Sequence, residues 1–322
     1  SRGLGDVYKR QVYGRIDQDI DRAIELLEKA RETTLAENNK SHINLYVALG
    51  IKSRACLAEG DWDGAFKAAK RVIDEGGYAV GTKSDLTSGM NSLDKQNVMW
   101  GAGIQVADQA GGYAGFFTHM DNKEGAYAKS APKLISKQLY NRISATDIRR
   151  DWWDPSDKES PYVSKKFSFA NVASFLGDYI YMRVEEMYFT AAEAALRLDD
   201  LKSARELMNT VMAERDPGYS ANNRSGTLLG ATTTTWTGSF LENILTHRRI
   251  ELWGEYGRLF DVRRLGQGID RRTDDGFSEE CISMMNRRNV NITKADTYDW
   301  VLTIPKAELD ANPNINEEDQ NP

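Results

Sequence analysis

The residues of this chain whose types and spacing admit chemistry are carboxylates and aromatic rings. Asp151, Asp154 and Asp157 follow Arg150 in a short stretch that also holds Trp152 and Trp153. Two carboxyl groups facing across a cleft can run glycoside hydrolysis, and clustered oxygens can hold Ca2+. Neither chemistry is specified here, because the spacing does not make a pair converge and no EF-hand pattern is present. A solvated acidic loop accounts for the same residues. DRRTDDG, 270–276, is equally unspecific. The three histidines, His42, His119 and His247, belong to no H-E-x-x-H motif, and the sequence has no C-x-x-C and no nucleophile elbow. His247 is followed by Arg248 and Arg249, which repel a metal cation. The sequence therefore predicts that the chain is not an enzyme, with no catalytic residues, no metal and no cofactor.

The rings offer a different chemistry. GGYAGFFTHMDNKEGAY, 111–127, sets Tyr113, Phe116, Phe117 and Tyr127 among glycines, and Trp152 and Trp153 lie in a second loop. Sugars present C–H faces to aromatic rings and hydroxyls to polar groups, and flat rings bury much area at low ordering cost. These six residues are the candidate ligand contacts, on a shallow platform built by loops 107–127 and 151–162. The competing role for the same rings is to pin the loops to the core. Trp62, Trp253 and Trp300 sit within helical or strand patterns and read as core.

Length and charge narrow the class further. The chain has 322 residues, 40% of them apolar, and a formal net charge of -6, enough for a sizeable core. Its basic clusters are isolated Arg-Arg pairs interleaved with carboxylates, which excludes a phosphate-tracking surface for nucleic acid. No apolar run approaches the eighteen residues of a membrane span. Cys56 sits among Ala55, Leu57 and Ala58 and reads as a small core residue; a bridge to Cys281 is the alternative. SRGLGDVYKRQ, 1–11, neither starts with Met nor carries an apolar face, and reads as a non-native leader.

The elements that must position any site are helices. Ile16, Ile20, Ala23, Ile24, Leu27 and Ala30 hold one face over 16–35. Sliding the chain by 139 residues lays 53–73 on 192–212, so that Leu57 meets Leu196, Asp61 meets Asp200, Ala65 meets Ala204 and Val72 meets Val211. This is the pattern of tetratricopeptide-type helix pairs: a small residue lets two helices approach, and an Asp in the connection caps the second. Residues 81–180 read as short strands and long loops, 216–238 as a surface loop, 268–299 as irregular, and Trp300–Ile304 as a strand. The expected fold is mainly α, with helix pairs, long loops and a few short strands. Residues 12–96 form an N-terminal helical part and 97–322 a C-terminal part, in one compact unit.

The stretch THRRIELWGEYGRLFDVRRL, 246–265, spaces Glu255, Arg258, Asp261 and Arg264 three apart, neighbours on a helical surface. Arg249, Glu251, Glu255, Arg258, Asp261 and Arg264 are expected to pair with one another, away from any ligand pocket. Ile250, Leu252, Trp253, Leu259, Phe260, Val262 and Leu265 are expected to face inward. Together with WVLTIPKAELDANPN, 300–314, and the closing QNP, this stretch resembles the signature of the RagB/SusD family of nutrient-binding proteins. In YMRVEEMYFTAAEAALRLDDLKSARELMNTVMAER, 181–215, the residues Arg183, Glu186, Ala192, Glu193, Ala194, Ala204, Asn209 and Arg215 match that family, and Asp147 with Arg149 forms a D-x-R pattern like one it carries.

The resemblance implies a SusD-like α-helical fold and a bacterial surface protein. Such a protein captures an oligosaccharide or other nutrient and passes it to a SusC-like TonB-dependent transporter. It implies an outer-membrane location through a lipid anchor, which with a signal peptide belongs to an N-terminal part that has no counterpart in residues 12–322. Two readings of other classes stand beside it: a helical-repeat scaffold that binds another protein, and a glycoside hydrolase.

Overall fold

The computed structural model describes residues 2–33, 39–108, 114–224, 238–268 and 303–320. Helix α1 (Arg2–Thr33) runs unbroken through residues 2–11 and lays Ile20, Ile24 and Leu27 on the core. Helix α2 (Leu45–Glu59) opens at Asn44, whose side chain accepts the Val47 N–H, and stops at Gly60 in the left-handed region. A short connection leads to α3 (Trp62–Glu75). The middle of the chain is built from short pieces: α4 (Lys83–Leu86), β1 (Val98–Ala102), α5 (Phe116–Met120), α6 (Ala126–Ser130), α7 (Lys137–Tyr140), β2 (Trp153–Asp154) and β3 (Val163–Ser164). Then come β4 (Tyr179–Arg183), α8 (Val184–Arg197), α9 (Leu201–Ala213), α10 (Phe240–Glu251), α11 (Arg258–Arg264) and α12 (Lys306–Ala311). No helix among the described residues is long and apolar enough to cross a membrane.

The 139-residue offset is structural. It carries Leu45, the first residue of α2, onto Val184, the first of α8, and Trp62, the first of α3, onto Leu201, the first of α9. Asp61 accepts the Gly64 N–H at 3.0 Å, and Asp200 accepts the Ser203 N–H at 3.0 Å. Each cap satisfies an N–H that the first helical turn leaves without a partner. Ala65 and Ala204 are both fully buried, as are Val72 and Val211. The small residues are thus where helices pack most closely.

One apolar core joins α1, α2, α3, α8, α9 and α10, and a second lies beneath the short segments between α4 and α10. Strands β1 and β4 pair antiparallel, with irregular register on either side of Trp100. At the end of the described chain the Gln320 amide clasps Ile304, accepting its N–H at 2.7 Å and donating to its carbonyl at 2.9 Å. This ties the close of the chain to the segment before Pro305. Cys56 is buried between the first helix pair and Ala194 of α8. Cys281, Trp300, most of the Thr-rich loop and DRRTDDG lie outside the described residues.

Candidate ligand-binding groove

The signature stretch does not pair mainly with itself. It is the anchor of two buried ion clusters that tie α8, α9, α10 and α11 to the loops. Glu251, the last residue of α10, accepts from Arg149 (3.1 Å), Arg183 (2.9 Å) and Arg215 (2.9 Å). Glu255 is taken by Arg183 (2.8 Å) and by the buried Lys166, not by Arg258. Asp147 pairs with Arg149 at 2.6 Å, and Glu185 with Arg215 at 2.8 Å. Four cations therefore meet four carboxylates in the interior. Burial alone would raise Glu251, but Arg215, Arg183 and Arg149 outweigh it and hold the carboxyl well below its ordinary range. Burial, reinforced by Arg149, keeps His247 neutral, and Arg149 donates to its Nδ1 at 2.9 Å.

In the second cluster Asp261 pairs with Arg264 as expected, at 2.8 Å, and also with Arg248 at 3.0 Å. Arg264 grips Glu193 with two bonds of 2.7 Å. Arg54 of α2 does the same to Glu186, at 2.9 and 2.7 Å, and donates to the Tyr181 carbonyl at 2.7 Å. Leu259 and Phe260 depart from the inward-facing set: they are 57% and 51% exposed, because α11 turns only Asp261 and Val262 into the protein.

Between these clusters lies an open groove of about 530 Å3, walled largely by rings. Phe116, Phe167 and Tyr179 line it: Phe116 meets Phe167 edge-on at 5.2 Å and Tyr179 at 6.0 Å. Trp100 and Tyr181 form one lip, 5.1 Å apart and near-perpendicular. Tyr256 forms the other, with the Arg54 guanidinium 3.7 Å from its ring centre. Tyr181 and Tyr256 are 41% and 36% exposed, although the Tyr256 ring also carries Phe260, stacked on it at 5.3 Å. Glu255 also lines the groove, so the signature is not remote from a pocket.

Local sequence explains each wall. Tyr179 and Tyr181 alternate along β4, which puts them on one side of the strand. The turn after α10 is bracketed by Gly254 and Gly257, both at positive φ (75° and 111°), where glycine is favoured. At Gly254 a Cβ would also sit 2.6 Å from the Phe167 ring. Lys166 fixes the same turn, donating to the carbonyls of Glu251 (2.7 Å) and Trp253 (2.8 Å).

Of the ring residues singled out by sequence, Phe116 lines the groove. Tyr127 is 40% exposed and stacks on His119, 4.6 Å away, outside it. Phe117, Trp152 and Trp153 are 2%, 2% and 1% exposed. They are core residues: Phe117 packs on Phe116, Phe169 and Tyr179, while Trp153 meets Trp152 and Trp253 edge-on and borders a separate concavity. The Trp152 indole N–H is spent on the Leu86 carbonyl at 2.7 Å. Tyr113 lies outside the described residues. Loop 151–162 borders a separate, mainly polar concavity of about 440 Å3 near Asp151, Asp154 and Lys165. Trp100, Tyr181 and Tyr256 were not singled out by the sequence; the Tyr179–Tyr181 alternation and the paired glycines are the signals that mark them.

The family model of the SusD family matches residues 118–322, most of the chain, including every charged residue of the two clusters except Arg54. The chain belongs to the SusD family. Among solved structures, a SusD-like carbohydrate binding protein from Bacteroides vulgatus is similar at 28% identity and TM-score 0.61, over 79% of this chain and 52% of its own. A SusD superfamily protein from Bacteroides thetaiotaomicron shares the fold at 23% identity and TM-score 0.73, over 97% of this chain and 66% of its own. Surface glycan-binding protein A from Bacteroides uniformis does so at 17% identity and TM-score 0.63, over 97% of this chain and 68% of its own. This chain thus spans from about half to about two thirds of the length of these proteins. No functionally curated protein matches it.

Proposed function

We propose that this chain is the binding part of a surface receptor that captures oligosaccharide in the groove between Tyr181 and Tyr256. The observation that carries this reading is a pair of partly exposed tyrosines lining a ring-walled cleft together with Arg54. Rings take the C–H faces of a sugar and the flanking polar groups take its hydroxyls. Family membership supports it, as does the likeness to a SusD-like carbohydrate binding protein. The groove binds and releases without turnover, handing its cargo to a SusC-like TonB-dependent transporter at the outer face of the outer membrane, where a lipid anchor holds the full-length protein. A receptor that must release its cargo binds modestly, with Kd on the order of micromolar to millimolar, or about -4 to -8 kcal/mol.

A glycan-binding screen followed by calorimetry of the best ligand tests the proposal, and a reducing-sugar assay on the same ligand checks for hydrolysis. A second reading, a helical scaffold for another protein, draws on exposed Leu259 and Phe260, since exposed apolar patches mark interaction surfaces. Failure of every glycan in the screen would favour it.

A further inference from the structure

We infer that the groove prefers acidic oligosaccharides, those carrying a uronate carboxylate, over neutral ones, with Arg54 as the residue that reads the charge. The inference rests on the glycan-binding reading above and goes on to name the ligand class. Its basis is an imbalance of charge in the ion cluster that Arg54 joins to the groove. In the cluster that holds Arg54, among the described residues, the arginines Arg54, Arg197, Arg248 and Arg264 share only Glu186, Glu193 and Asp261, and Arg258 adds a further positive charge beside Asp261. Five cations thus stand against three carboxylates. The neighbouring cluster is neutral, four against four, and the chain as a whole carries a net charge of -6. The described part of the cluster behind Arg54 thus carries an excess of positive charge, against the sign of the whole protein.

Arg54 is placed to present that charge. Its Nε and Nη2 are committed to Glu186 and the Tyr181 carbonyl. Nη1 has no hydrogen-bond partner among the described residues, and the side chain lines the groove with 12% exposure. Glu186, its carboxylate partner, is shared with Arg248, so it does not cancel Arg54 fully. The carboxylate on the other wall, Glu255, is masked: both its oxygens are taken by Arg183 and one also by Lys166. A sugar seated in the groove beside Tyr181 meets the Arg54 guanidinium, and a charge-assisted bond to a carboxylate is about twice as strong as a neutral one. A partly desolvated arginine favours an oxyanion over a hydroxyl for the same reason.

The matched probe is an oligogalacturonate and its fully methyl-esterified counterpart, which share rings and linkages and differ only in charge. Alongside them go a glucuronate-bearing oligosaccharide and a sulfated one, each with its neutral form, so that uronate and sulfate recognition are told apart. Calorimetry of the wild-type chain at low salt is expected to show at least one uronate ligand binding about tenfold tighter than its neutral partner, with the advantage shrinking as NaCl is raised. Arg54→Gln is expected to bring the two ligands to equal affinity, and Arg54→Lys to keep part of the difference. If every neutral form binds as well as its acidic partner, the acid preference falls while the glycan reading stands. A preference confined to sulfate also overturns it. If no glycan binds at all, the reading beneath it falls too. The wild-type comparison needs no variant to fold.

Discussion

The guanidinium carbon of Arg54 sits 3.7 Å from the centre of the Tyr256 ring. The contact joins two parts of the chain about two hundred residues apart in sequence: α2, in the first helix pair, and the turn after α10. Arg54 is held from behind by Glu186 of α8, the helix equivalent to α2 in the second pair. The duplicated helix pairs thus set the position of one side of the groove, and the signature stretch sets the ring it faces.

Glu251 is the most heavily shared carboxylate in the protein's described interior. Glu251→Ala strands Arg149, Arg183 and Arg215 without it, and removal of one partner from a buried ion cluster costs about 3–5 kcal/mol. Urea unfolding should show a loss of that size. A change below about 1 kcal/mol would mean that the cluster carries little of the fold.

Acid should reveal the same cluster. Burial pushes Glu251, Glu255, Glu193 and Asp261 upward, but the arginines around them outweigh it, leaving all four below their ordinary values. A carboxylate lowered on folding contributes stability that is present above its unfolded value and lost as the pH falls through its folded one. The urea midpoint should therefore hold from pH 7 to about 5 and fall steeply below about 4. A midpoint unchanged down to about pH 3 would contradict the assignment.

The two helix pairs should respond alike at their caps. Asp61→Ala and Asp200→Ala each remove one acceptor from a first-turn N–H, so each should lower stability by about 1 kcal/mol. A difference of more than about 1 kcal/mol between them would show that the pairs are not equivalent units.

Truncation of a core ring should be distinguishable from loss of a ligand contact. Trp153→Ala should cost about 3–5 kcal/mol of stability, because the ring is 1% exposed. A variant with unchanged stability and weakened glycan binding would return Trp153 to the site.

The helical frame was legible because it rests on local signals. The 139-residue offset placed Asp61 and Asp200 at equivalent caps and Ala65 and Ala204 at equivalent contacts, and apolar periodicity found the face of α1. The ion clusters were half legible. Spacing found Asp261 with Arg264, but the partners of Glu251 and Glu255 come from Arg149, Lys166, Arg183 and Arg215, which only the tertiary fold brings in. The burial of Phe117, Trp152 and Trp153 was not legible for the same reason. Glycines around Phe117 and polar residues around Trp153 suggested exposure, yet both loops fold over a second core that swallows the rings. Tyr181 and Tyr256 were not singled out, because their exposure follows from the groove left between segments that are distant in sequence.

The central claim is that the exposed rings of Tyr181 and Tyr256 hold the ligand. The measurement that tests it is a calorimetric titration of the tightest-binding glycan into wild type, Tyr181→Ala and Tyr256→Ala, with the melting temperature of each as control. Losing one stacking ring from so weak a site should cost about 1–2 kcal/mol, a rise in Kd of roughly five- to thirtyfold, while the melting temperature changes little. Both variants binding as tightly as wild type would contradict the account.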